Sequence, residues 1–143
     1  MSSCATILGL CASLSGAPSA YDGDTLYFGS QGVRLYGIDA EELDEPNGRV
    51  ARDALRLLLR GAPSVRCVLV GDPSHGRPVA RCYTSDNRSL NAAMVSLGRA
   101  LDCPRYSRGE FAGLEPKGIR SKLKQKQKPY CNPSKQRTVV HAP

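Results

Sequence analysis

The segment YDGDTLYFGSQGVRLYGIDAEELDE, from Tyr21 to Glu45, holds a turn, a strand and an acidic loop from which the rest of the chain can be interpreted. The turn is Asp-Gly-Asp-Thr at 22–25, the strand carries Arg34, and the loop begins at Asp39. The segment holds seven carboxylates, on Asp22, Asp24, Asp39, Glu41, Glu42, Asp44 and Glu45. Carboxylate oxygens are the ligands that hard divalent cations such as calcium prefer. An arginine between two acidic turns indicates a phosphate held against a metal.

The length and charge distribution predict one domain with a basic tail. A chain of 143 residues suffices for one domain and is short for two. Residues 1–115 hold 12 arginines and 13 acids, whereas residues 116–143 hold 8 basic residues and no acid. We therefore expect an undetermined segment over 1–12, a domain over 13–115, and a basic, flexible tail over 116–143. Such a tail would add phosphate affinity that weakens with salt.

The six cysteines are many for this length. An even count without a Cys-x-x-Cys pair indicates disulfides rather than zinc, and hence an oxidising, extracytoplasmic compartment. The alternative is a set of small buried hydrophobic residues in a reducing cytosol, and the sequence leaves both open. Cys67 and Cys82 lie at nearly mirrored positions about a predicted hairpin, which predicts a bridge between them. The apolar run at 5–14 is too short to span a membrane.

The pattern of apolar residues and turns predicts strands over 13–21, 25–28, 33–38, 64–70 and 78–84, with a short extended segment at 99–103. Helices are predicted over 48–60, with Asn47 as the N-cap, over 90–97, with Ser89 as the cap, and over 107–114. Within the strand at 33–38, Val33 and Leu35 share one face, so the side chain of Arg34 lies on the other face and can point into a cleft. Five short strands with about three helices fit the α+β class and a five-stranded Greek-key barrel of the OB type.

Four pieces of the sequence, in order and spacing, resemble the staphylococcal-nuclease-like (thermonuclease) family. They are DGDT at 22–25, VRLYGIDAEE at 33–42, GRPVA at 76–80, and Leu-Asn at 90–91 followed by Met94, Val95 and Gly98. The resemblance covers roughly residues 13–115. It implies an OB-type barrel and calcium-dependent hydrolysis of DNA or RNA phosphodiesters with little sequence specificity. We expect a monomer whose partner is nucleic acid, with no membrane.

The resemblance also implies the roles of individual residues. The family's calcium ligands correspond to Asp24, Asp39 and the backbone carbonyl of Ala40. Its proposed general base and its two phosphate-binding arginines correspond to Glu42, Arg34 and Arg77. Asp22 matches an acid near the metal that is not expected to touch it.

Three further positions bear on the comparison with the family. Glu41 replaces the proline that often precedes the general base, which is expected to loosen the acidic loop. His75 stands where many relatives have a tyrosine; a nucleic-acid contact and an exposed loop residue are both open readings. Tyr106 is a candidate for stacking on a base, with a capping core tyrosine as the alternative.

The competing class of function is a binding module. Barrels of this family also occur as inactive domains that bind nucleic acid or protein without cutting. Such domains typically lose the metal-binding acids or the arginines, and this sequence keeps both, which favours an enzyme. A generic OB-fold single-strand binder would carry exposed aromatic residues on its strands, and the aromatic residues here are few and scattered.

Overall fold

The computed structural model describes residues 3–7, 10–71, 77–123 and 128–132, with side chains described from residue 13 onward. The strands are β1 Ser3–Ile7, β2 Leu10–Gly16, β3 Ser19–Asp22, β4 Thr25–Phe28, β5 Gln31–Leu35, β6 Ile38–Asp39, β7 Val65–Leu69, β8 Val79–Thr84 and β9 Leu101–Asp102. The helices are α1 Gly48–Arg60, α2 Leu90–Ser96 and α3 Pro104–Ser107, and 3₁₀ turns lie at Ala112–Leu114, Ile119–Ser121 and Pro129–Cys131. The chain is therefore of the mixed α+β class.

The main sheet has seven strands in the order β1-β2-β7-β8-β5-β4-β3, and β6 pairs with β9 in a second, small sheet. Neighbouring strands are antiparallel except β5 and β8, which run parallel. Strands β2 and β3 lie far apart in this order, although only Ala17 and Pro18 separate them in the chain. The sheet must therefore curl until β3 approaches β2. No ladder among the described residues closes it into a barrel.

Three predicted elements differ from the structure for identifiable reasons. The strand predicted over 33–38 is divided into β5, which ends at Leu35, and β6 at Ile38–Asp39, because Gly37 between them has a φ of 77°. The strand predicted over 13–21 is two strands, β2 and β3, because Pro18 has no N–H to donate and the chain changes direction there. The helix predicted over 107–114 is wrong: α3 ends at Ser107, and a 3₁₀ turn follows at Ala112–Leu114. Arg108 and Gly109 between them have positive φ angles of 56° and 85°, a conformation that ends a helix.

The glycine of the Asp-Gly-Asp turn is a packing point between three parts of the fold. A Cβ atom at Gly23 would lie 2.6 Å from the Cβ of Ala51 in α1 and 2.7 Å from the Cβ of Ala40 in the acidic loop. Helix α1 packs against β3, and the buried Leu55 joins the core beneath the sheet. Any larger residue at 23 would therefore push the turn, the helix and the acidic loop apart.

Asn91 ties α2 to the strands that carry the site. It is buried, and its Nδ2 donates to the carbonyl oxygens of Tyr36 and Ala80 at 2.9 and 3.2 Å. Its Oδ1 accepts from the N–H of Cys82 at 3.0 Å. These bonds satisfy backbone groups at the ends of β5 and within β8, so they fix the parallel pairing of the two strands.

Among the described side chains, two disulfides join residues that are far apart in the sequence. Cys67 and Cys82 face each other across β7 and β8 with Cα atoms 4.0 Å apart, which confirms the predicted bridge. Cys103 and Cys131, with Cα atoms 4.7 Å apart, join the start of α3 to the C-terminal segment.

The segment after Lys117, for which the sequence predicts no structure, contacts the domain in its described parts. Leu123 is buried, and the Arg120 guanidinium donates to Glu115 at 2.7 and 2.8 Å and to the carbonyl of Asp102 at 3.1 Å. The sequence pattern does not predict this packing, because the apolar residues involved are isolated among lysines and glutamines. In the part of the chain that the structure describes, no helix has the length and apolar character needed to cross a bilayer.

Replacing Gly23 with alanine tests the packing point. The added methyl must displace Ala51 or Ala40, so we expect Gly23→Ala to lower the free energy of unfolding by about 1–3 kcal/mol. Gly113→Ala is the matched control, because a Cβ there meets no atom within 4 Å. Urea denaturation followed by circular dichroism measures both. Equal stability of Gly23→Ala and wild type would contradict the described packing.

Candidate functional site

Two aspartates that are distant in sequence converge on one guanidinium. Nη2 of Arg34 lies 3.4 Å from Oδ2 of Asp24 and 3.2 Å from Oδ1 of Asp39. The same nitrogen donates to the carbonyl of Ile38 at 3.3 Å. Both aspartates are buried, and Arg34 is partly exposed on the face of β5 opposite the buried Val33 and Leu35, as predicted. Two carboxylates therefore surround a single positive charge, and solvent reaches this group from the side on which Arg34 is exposed.

The backbone of the turn and of the loop holds Asp24 in place. Its Oδ2 accepts from the N–H of Ala40 at 2.8 Å, and its Oδ1 accepts from the hydroxyl of Thr25 at 3.3 Å. Oδ1 of Asp22 accepts from the N–H of Asp24 at 3.1 Å, which fixes the turn. Asp22 therefore positions Asp24 through its backbone.

Burial and the nearby charge of Asp24 raise the pKa values of Asp22 and Asp39. Burial, followed by the charge of Asp24, raises the pKa of Asp22 to about 7. The same two causes raise the pKa of Asp39 to about 6, although Tyr130, Lys128 and Arg34 oppose them. Burial acts against the charge of Arg34, but Asp24 and Asp39 outweigh it and raise the pKa of the guanidinium. The carboxylates thus concentrate negative charge at the site, and a cation is needed there to balance it.

The acidic loop is held by a buried glutamate. Glu41 accepts from the N–H of Asn47 at 2.9 Å through Oε1 and from its Nδ2 at 3.0 Å through Oε2. The expectation that Glu41 loosens the loop is therefore wrong, since the carboxylate joins both ends of the loop. Asn47 precedes α1 as predicted, but its side chain bonds Glu41 instead of capping the helix. Glu42 points outward, and its N–H donates to Oε1 of Glu45 at 2.7 Å.

The C-terminal segment supplies two further groups to the acid pair. The hydroxyl of Tyr130 donates to Oδ1 of Asp39. The ammonium of Lys128 lies 4.0 Å from Oδ2 of Asp39. It also lies 3.4 Å from Oε1 of Glu42 and 3.4 Å from Oε1 of Glu45. Burial lowers the pKa of Lys128, but these three carboxylates outweigh it and raise the pKa overall. Burial and the charge of Asp39 both raise the pKa of Tyr130, so its proton stays on the phenol.

The remaining candidate residues lie around this centre. Arg77 is exposed and comes directly before Pro78, whose carbonyl accepts from the N–H of Arg34 at 2.9 Å. Tyr106 is exposed in α3, the helix that contacts the turn at Pro129–Cys131, and the Arg105 guanidinium lies over its ring. His75 lies outside the described residues. The structure thus brings Asp24, Asp39, Arg34 and the backbone of Ala40 together, with Arg77 two residues before β8, the strand that pairs with β5.

Sequence reasoning missed Lys128 and Tyr130. Both fall in a lysine- and glutamine-rich stretch whose composition is typical of a solvated tail. The one signal that indicates otherwise is Cys131, a cysteine within that stretch, because a disulfide would anchor the residues beside it.

The oxygen atoms at this centre suit calcium, to which the side chains of Asp24 and Asp39 would supply two charged ligands. Asp24 and Asp39 offer hard oxygens at one cation position, and the backbone of Ala40 is bonded to Asp24. Among residues 3–7, 10–71, 77–123 and 128–132, no three His, Cys, Asp or Glu residues form a group arranged to hold a metal. Further oxygen ligands would therefore have to come from the Ala40 carbonyl, water or substrate.

No family model matches the chain. The chain is similar to the succinoglycan biosynthesis protein ExoI of Rhizobium meliloti (strain 1021), with 29% identity over 110 residues. The similarity covers 70% of this chain and 58% of the relative, so the chain spans little more than half of that protein's length.

Proposed function

We propose that this chain is a staphylococcal-nuclease-like domain that hydrolyses phosphodiester bonds of DNA or RNA, with calcium as cofactor and little sequence specificity. The observation that supports the proposal most strongly is the meeting of Asp24 and Asp39 on Nη2 of Arg34, at 3.4 and 3.2 Å. The Asp-Gly-Asp turn, strand β5 and the end of strand β6 supply these three residues, each at a position to which the family resemblance assigns a role.

The finer fold that we propose is an OB-type barrel. Its support is the path of β2 and β3, which pair with β7 and β4 respectively and are joined by only two residues. A single bent strand that pairs with different partners in its two halves is what a small, partly open barrel requires. The hairpin partner β1 then lies outside this five-stranded arrangement, on the other side of β2.

The chemistry required at the site is charge neutralisation. A phosphodiester carries a negative charge that repels an attacking hydroxide. Calcium held by Asp24, Asp39 and the carbonyl of Ala40 would offset that charge and stabilise the charge that builds on the equatorial oxygens. Arg34 is partly exposed and has a fork of donors that can hold two phosphate oxygens, and Arg77 is exposed two residues before β8.

Glu42 is the residue that we propose accepts the proton of the attacking water. Its side chain is 55% exposed, and Lys128 contacts both Glu42 and Asp39, so Glu42 lies beside the proposed metal site and reaches solvent. Proton transfer by a positioned carboxylate typically contributes about 10²–10⁴-fold to rate.

A second candidate function is a binding module that does not cut. The observation that favours it is the contact of Lys128 and Tyr130 with Asp39, because protein groups then balance the charge that calcium would otherwise balance. In that case the basic side chains would bind phosphates without hydrolysis.

Digestion of plasmid DNA and of RNA tests the proposal. We expect cleavage with calcium and none after chelation. Asp39→Asn should raise the calcium concentration for half-maximal cleavage at least about tenfold, because affinity at oxygen sites depends on ligand charge. Asp44→Asn is the matched control, since Asp44 is an exposed acid of the same loop. Folded wild-type protein that binds nucleic acid and cuts neither substrate would favour the binding module.

The role of Glu42 has its own kinetic signature. Glu42→Gln keeps the size of the side chain and removes its basicity, so kcat should fall by about 10²-fold or more while KM changes little. Steady-state cleavage of a short labelled oligonucleotide at saturating calcium measures both constants. Full kcat in the glutamine variant would assign the proton transfer to solvent or to another acid.

A further inference from the structure

Residues 128–131, called here the strap, lie against Asp39, one of the two buried aspartates of the site. Tyr130 donates its hydroxyl proton to Oδ1 of Asp39, the oxygen that also contacts Arg34. The Lys128 ammonium reaches Oδ2 of Asp39 and the outward carboxylates of Glu42 and Glu45, and its side chain is only 19% exposed. The strap therefore contacts both oxygens of one proposed calcium ligand and the proposed general base.

A disulfide anchors the strap next to these carboxylates. Cys103 follows β9, and the register of β6 and β9 places Asp39 opposite Leu101. The N–H of Cys103 donates to the carbonyl of Gly37 at 2.8 Å, and the residue is buried. The bond from Cys103 to Cys131 thus starts from a fixed point close to Asp39 and ends at the residue that follows Tyr130.

We propose that the strap is a redox-controlled gate: with the Cys103–Cys131 disulfide formed, Tyr130 and Lys128 occupy the carboxylates that bind calcium, and reduction releases them. This inference rests on the proposed function, because it takes Asp24 and Asp39 to be the metal site. It assigns a role to the C-terminal segment and to Cys103 and Cys131 that the cleavage chemistry does not require.

The tether matters because the contacts of the strap are few. The disulfide is a second link besides the polypeptide chain, and it holds the strap beside these carboxylates at a higher effective concentration than the chain alone does. Without that link, one phenol hydrogen bond and one ammonium would compete poorly with a divalent ion for two carboxylates. Breaking the disulfide therefore changes the competition without altering any group that contacts the acid pair.

The opening step is a thiol–disulfide exchange with a dithiol reductant. A thiolate of the dithiol attacks Sγ of Cys131, the more exposed partner, and Cys103 leaves as a thiolate that takes up a proton. The second thiol of the reductant then displaces Cys131, which also becomes a thiol. The dithiol gives up two electrons and two protons and becomes a cyclic disulfide.

The first arm of the test uses no metal. Hydrogen exchange of the amides of Cys131 and Asn132, which donate to the carbonyls of Lys128 and Pro129, reports whether the strap is docked. We expect faster exchange in C103S/C131S than in oxidised wild type, and also in Asp39→Asn, which weakens the acceptor for Tyr130. Unchanged exchange in C103S/C131S overturns the gate.

The second arm titrates calcium alone by calorimetry. The Kd of C103S/C131S for calcium should be at least about tenfold lower than that of oxidised wild type. In the variant, the hydrogen bonds of the strap to a charged carboxylate no longer compete with calcium. C67S/C82S, which lacks the disulfide of the β7–β8 hairpin, should keep the wild-type Kd. Lys128→Met should also bind more tightly than wild type, and Lys117→Met should not.

The two arms separate failure of the gate from failure of the proposed function. If calcium binds wild type and C103S/C131S with the same Kd, the gate is wrong and the metal site stands. If exchange changes as expected but no variant binds calcium, the strap docks on an acid pair that holds no calcium. That outcome overturns both the gate and the calcium-dependent nuclease.

Discussion

The structure around the site depends on two buried carboxylates that share one guanidinium. Asp24 and Asp39 lie on different elements, and each would be costly to bury without a cation. Arg34 supplies that cation from β5, while the N–H of Ala40 and the hydroxyl of Thr25 bind Asp24. The turn, the parallel strand pair and the acidic loop are therefore held in a single arrangement by charge balance as much as by apolar packing.

Much of the fold could be predicted, because its signals are local. The strand at Thr25–Phe28 has its predicted bounds, and Ser89 caps α2 through a hydrogen bond to the N–H of Ala92 at 3.0 Å. The face of Arg34 followed from the alternation of side chains along a strand. The failures have local causes that the apolar pattern does not show: Pro18 divides one predicted strand, and Arg108, in the left-handed conformation, ends α3 early.

The site was predictable only in part, because several of its contacts join residues more than 80 positions apart. Sequence motifs indicated Asp24, Arg34 and Asp39, but they could not show that Glu41, expected to loosen the acidic loop, would hold it through Asn47. Lys128 and Tyr130 lie 89 and 91 positions from Asp39, in a stretch whose composition predicts solvation. Their docking follows from a covalent constraint at Cys131, and sequence alone does not determine which cysteine that residue joins.

The most direct measurement is a crystal structure of C103S/C131S at saturating terbium, a calcium substitute whose anomalous scattering locates it unambiguously. The central claim, that Asp24 and Asp39 form one cation site, predicts a single strong anomalous peak in contact with both carboxylates. Arg34 would be turned toward solvent or a bound anion, and Tyr130 would be displaced from Asp39. A structure with no peak there, and with Arg34 still bridging the two aspartates, would contradict the claim.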